Sequence, residues 1–100
     1  MTTQLISRLN KFGYKKTYEG NYEGNDESHY QLRTDAGFVD VHIDEKEVKF
    51  RNHTIRKRFE TGSEEKVQTL RIPHEEESKI LAYLHAFTPI SSQININTVH

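Results

Sequence analysis

The stretch FVDVHIDEKEVKFR, residues 38–51, decides how the rest of the chain is read. Val39, Val41 and Ile43 alternate with Asp40 and His42, and after DEKE the residues Val48 and Phe50 alternate with Lys49 and Arg51. A period of two sends successive side chains to opposite faces of a strand. If Ile43 and Val48 close a four-residue loop, Val41 meets Phe50 on one face, while Asp40 meets Arg51 and His42 meets Lys49 on the other. The stretch therefore predicts a β-hairpin with one core face and one wet face.

Beyond Arg51 the parity changes. The inward series Val48, Phe50 would continue to Asn52 and Thr54, yet the next apolar residues are Ile55 and Phe59. A β-bulge or tight turn near Asn52 to Thr54 would restore the register. Lys49, Arg51, Arg56 and Arg58 then all point outward as a cationic stripe, with Asp40, His42 and His53 beside it. Further strands are expected at residues 14–19, 29–34, 55–60 and 66–72, with turns at DAG and TGSEE.

At both ends the periodicity becomes helical. Leu5, Ile6, Leu9 and Phe12 fall at i, i+1, i+4 and i+7, and Ile80, Leu81, Leu84 and Phe87 repeat that spacing, so each segment presents one apolar stripe. Thr2 or Thr3 caps the first helix and Gly13 ends it. The second is expected to start near Pro73, with Glu75, Glu76 and Glu77 at the positive end of its dipole, and to stop at Pro89. The fold class that follows is α+β: an antiparallel sheet of four to five strands with an N-terminal and a C-terminal helix on one face. Residues 1–89 form one domain and 90–100 a tail, either disordered or adding an edge strand through Ile94 and Ile96, which would favour a homodimer.

Composition excludes several functions. The net charge of −1 and pI near 6.6 lack the strongly basic signature of a dedicated nucleic-acid binder. With no cysteine there is no thiolate nucleophile or thiolate metal site, and a reducing compartment, the cytoplasm, is expected. The N-terminal apolar run contains Arg8 and Lys11, unlike a signal peptide or membrane span. No phosphate loop, dinucleotide fingerprint, HExxH or nucleophile elbow is present, so no enzyme is expected; Asp40, His42 and His53 are the one group that merits a catalytic test. Asp40, His42 and Asp44 alternate on one strand face with His53 beside them, but such alternation is ordinarily solvated polar surface, and neither metal nor cofactor is expected.

Two surfaces remain. The cationic stripe of Lys49, Arg51, Arg56 and Arg58 could track phosphates, though exposed ion pairs on a solvated face are the more ordinary explanation, since the stripe lacks interleaved aromatics. The doubled unit YEGNYEGN, residues 18–25, reads as a turn-rich loop because each half ends in Gly-Asn. It displays Tyr18 and Tyr22, with Tyr14 and Tyr30 on the flanking strands, and tyrosine among glycine and asparagine suits protein recognition. The order helix, strands, helix in about a hundred charged residues resembles small accessory proteins of phages and mobile elements, among them inhibitors of host or defence enzymes, although no residue motif carries the likeness. The expected function is a non-enzymatic module that docks on a protein as an inhibitor or regulator, through Tyr18, Tyr22, Tyr30, Lys49, Arg51, Arg56 and Arg58. Nucleic-acid binding by the basic face is the alternative.

Overall fold

The alternation in residues 38–51 folds as a hairpin. In the computed structural model, which describes residues 2–58 and 62–95, β3 (Gly37–Ile43) and β4 (Glu47–Arg58) pair antiparallel with Val41 opposite Phe50, Asp40 opposite Arg51 and His42 opposite Lys49. With β1 (Lys15–Tyr22), β2 (Asn25–Thr34) and β5 (Gly62–Pro73) they form a five-stranded antiparallel meander in chain order. Short turns between sequence neighbours make this the simplest sheet topology to close. Two longer helices, α1 (Thr2–Lys11) and α2 (Glu77–Phe87), cover one face, and a short α3 (Ile90–Asn95) follows.

The core lies between that face and the helices. Leu5 and Leu9 of α1 and Ile80 and Leu84 of α2 are fully buried against Tyr30, Val39, Val41, Ile43, Val48, Phe50 and Ile72 of the sheet. Each such side chain contributes about 1.5–3 kcal/mol when removed from water, so a thin layer suffices for a chain of this size. Pro73 belongs to β5 rather than to α2, which starts at Glu77; a proline ends the edge strand at no cost there because its missing N–H faces no neighbour.

Polar contacts fasten the helices to the sheet and to each other. The buried Tyr14 hydroxyl lies 2.9 Å from Thr88 Oγ1, which donates to the Leu84 carbonyl at 2.6 Å, so Tyr14 is the donor to Thr88. Burial pushes the Tyr14 hydroxyl up to about 12, partly offset by its bond to Thr88. Arg8 Nη1 lies 2.7 Å from His85 Nε2; a guanidinium only donates, so that nitrogen accepts and Nδ1 carries the proton given to Gln93 Oε1 at 3.0 Å. Gln93 Nε2 in turn donates to the carbonyls of His85 and Thr88. Ile94 therefore sits in a helix, not in an added edge strand, and Ile96 lies outside the described residues.

Three expectations need correction. β4 carries no bulge: its pairing with β5 is continuous from Glu47 opposite Pro73 to Arg58 opposite Gly62. The sheet's irregularity lies instead in β1, between Lys16 and Tyr18. The physical reason is that β4 and β5 outrun β3, whose first residue Gly37 already stands opposite Thr54. Ile55 stands beyond that pair, where no core calls it inward, and it is 44% exposed. Strict alternation then places Arg56 on the opposite side of the sheet from Arg51, so the four-residue cationic stripe does not form. Phe59 and the side chain of Arg58 lie outside the described residues.

The doubled unit is likewise not a loop. It spans the end of β1, a two-residue turn and the first residue of β2. Glu23 and Gly24, with φ of 52° and 80°, make the left-handed turn that matches strand twist and leaves Tyr22 opposite Asn25. The first copy's glycine, Gly20, is an in-strand residue covered by the ring of Tyr18. Tyr30, at 2% exposure, belongs to the core and not to any displayed set.

Candidate docking face

The face without helices carries the candidate chemistry, and the strand register assembles it in rows. One row crosses all five strands: Tyr18, His29, His42, Lys49 and Arg71. The next holds Lys15, Gln31, Asp40, Arg51 and Thr69, and the third Arg33, Phe38, His53 and Val67. Cross-strand neighbours stand about 5 Å apart, which brings aromatic rings into contact.

In the first row His29 and His42 stack with centroids 3.8 Å apart and planes at 12°, and Tyr18 leans on His29 at 4.9 Å. Burial of the His42 ring, then the neighbouring His29 and the Lys49 ammonium, pull it down to about 4, so it is neutral at pH 7. His29 Nε2 donates to Glu27 at 3.2 Å. In the third row Phe38 stacks on His53 at 4.1 Å and 19°. His53 Nδ1 donates to Glu65 at 2.8 Å, and its Nε2 lies 3.7 Å from Asp40 Oδ2, beyond hydrogen-bonding reach. The Asp40 Oδ1 atom accepts from the Gln31 amide at 2.9 Å.

Of the residues predicted from sequence, Tyr18, Lys49 and Arg51 share this face. Tyr22 lies on it at the β1–β2 turn and is 70% exposed. Arg56 and Tyr30 do not share it. The group that merited a catalytic test separates: Asp40 and His53 meet, whereas His42 turns to His29. Asp44 is used in the β3–β4 turn, where Oδ1 accepts the amides of Lys46 and Glu47 at 2.7 and 2.8 Å. Among the described residues no three His, Asp or Glu side chains are placed to hold a metal ion.

Sequence reasoning missed Phe38, His29, Arg33 and Arg71. Phe38 had a usable signal, because the alternation of residues 38–43 puts it with Asp40 and His42. His29 and Arg33 become legible only once β2 is registered on β3. At the turn end of the sheet, the β1–β2 and β3–β4 turns meet through Asp26 N–H donating to Glu45 and Glu45 N–H donating to Asn25. An open acidic cleft lies there, lined by Glu19, Asp26, Glu27, Asp44, Glu45 and His74.

No protein family, curated protein or solved structure matches the chain. Among the described residues no helix is long and apolar enough to cross a membrane.

Proposed function

We propose that the chain is a binding module which docks on another protein through the helix-free face of its sheet, and acts as a regulator or inhibitor of that partner. The observation that carries the reading is the make-up of the face. Tyr18 at 46% and Tyr22 at 70% exposure, with Ile55 and Val67 at 44% and 47%, stand among charges of both signs. Exposed amphipathic rings with a polar surround are what protein interfaces use as anchors. Rows of stacked side chains hold the surrounding rotamers, which lowers the entropy lost on docking.

The alternative, nucleic-acid binding, loses its main support with the cationic stripe. Lys49 and Arg51 are on this face, Arg56 is on the other, Asp40 lies between Lys15 and Arg51, and Glu27 and Glu65 flank the rows at either end. A polyphosphate needs a continuous positive track. The absence of cysteine fits residence in a reducing compartment, the cytoplasm.

Affinity capture from a lysate of the native host, with the wild-type chain and a Tyr18→Ser/Tyr22→Ser variant, each with and without nuclease, tests the reading. The expected result is a partner that survives nuclease and is lost with the tyrosines. Loss of every partner on nuclease treatment, or capture indifferent to both tyrosines, would contradict it.

A further inference from the structure

The docking face has an unspent charge, and its sign names the chemistry of the partner. Each carboxylate on the face has a polar partner, although only Glu47 is paired with a permanent cation. Glu27 pairs with His29, Glu65 with His53 at 2.8 Å, Glu47 with Arg71 at 3.7 Å, and Asp40 takes the Gln31 amide and faces His53. Among the described residues, Lys15, Arg33, Lys49 and Arg51 have no carboxylate oxygen within 4.0 Å.

We propose that this face receives an acidic protein surface, whose carboxylates pair with Arg33, Lys49 and Arg51 while Phe38 among them and Tyr18 at the edge strand supply the apolar contact. The inference rests on the docking reading above and specifies its partner. Register places Lys49 and Arg51 two residues apart on β4 and Arg33 two strands away on β2, so the cations' backbone positions sit roughly 7–17 Å from one another. That spacing suits discrete carboxylates on a folded protein or an acidic segment laid across the strands. A nucleic acid laid along this face would also meet Glu27 and Asp40. A continuous polyphosphate cannot avoid those like charges, whereas carboxylates spaced to match the cations can.

The first test uses labelled oligoglutamate, oligolysine and oligothymidylate of matching length, titrated by fluorescence anisotropy at low and near-physiological salt. Oligoglutamate is expected to bind at least about ten-fold more tightly than either other probe, to weaken with salt, and to lose about ten-fold on Arg33→Glu/Lys49→Glu. Lys11→Glu, on the helix side, serves as the control and retains binding, with circular dichroism confirming that each variant is folded. Equal or tighter binding of oligothymidylate assigns the face to nucleic acid; no binding of oligoglutamate, or none lost on charge reversal, also overturns the proposal. The captured partner separates the two levels of the account. Capture lost with Tyr18→Ser/Tyr22→Ser but kept with Arg33→Glu/Lys49→Glu sinks the acidic partner alone, and capture kept with both sinks docking on this face.

Discussion

At Gly37 a methyl group has nowhere to go. The residue opens β3 with φ of 156°, and a Cβ built there would overlap the carbonyl oxygen of His53 on β4. Gly37→Ala is expected to cost about 2–4 kcal/mol, because both the backbone conformation and the strand spacing oppose it. Gly24 sits in open space with φ of 80°, so Gly24→Ala meets only the left-handed penalty of about 1 kcal/mol. Urea unfolding of the two variants measures the contrast; equal costs would contradict the close approach of β3 to β4. His42 supplies a pH dependence. Its folded value of about 4 lies below its ordinary 6.5, so between those values the unfolded chain holds more protons than the folded one. Stability is therefore full above about pH 6.5 and declines as pH falls toward about 4. With the ring half in solvent the loss is discounted to about 1–2 kcal/mol. Thermal melts across that range check it, and His42→Gln should flatten the acid side of the wild-type curve. An unchanged acid slope would remove His42 as its source.

Elements differ in how well they are held. The hairpin of residues 38–51 was readable because each apolar position had an apolar partner and each charge a complementary one. The two helices were readable because their stripes are clean. The continuation of β4 was misread by assuming that Ile55 must face the core, whereas a strand that outruns its neighbours has no core to face. The doubled YEGNYEGN was misread because glycine and asparagine disfavour strands locally; pairing with β2, which is itself supported by β3, overrides that preference. Among the described residues, the β4–β5 ribbon past Thr54 runs beyond the last β3 pair, and Ile55 and Arg56 are exposed. Its amides at residues 56–58 and 62–66 are expected to exchange with solvent at least about ten-fold faster than those of residues 48–53, read by native-state hydrogen exchange. Uniform protection along β4 would contradict a projecting ribbon. Where β1 begins, the hydroxyl relay from Tyr14 through Thr88 ties the sheet to the end of α2. Tyr14→Phe removes that donor and is expected to cost about 1 kcal/mol in denaturant unfolding. No measurable loss would show that packing alone seats α2.

For the whole molecule, both helices pack on one face and leave the other open, and that division was legible from alternation alone. The make-up of the open face was legible only in part. Tyr18, Lys49 and Arg51 were found from their own segments, but the stacks of His29 on His42 and Phe38 on His53 depend on register between strands, which no single segment encodes. Register also decides the ion pairing: it sets Glu27 and Glu65 against histidines and Glu47 against Arg71, and among the described residues leaves Arg33, Lys49 and Arg51 without a carboxylate within 4.0 Å. The most direct test is hydroxyl-radical footprinting of the chain bound to its captured partner, read side chain by side chain. Protection of Tyr18, Tyr22 and Phe38, with Tyr83 and Phe87 of α2 unchanged, is the predicted result. Protection confined to α1 and α2 would contradict it.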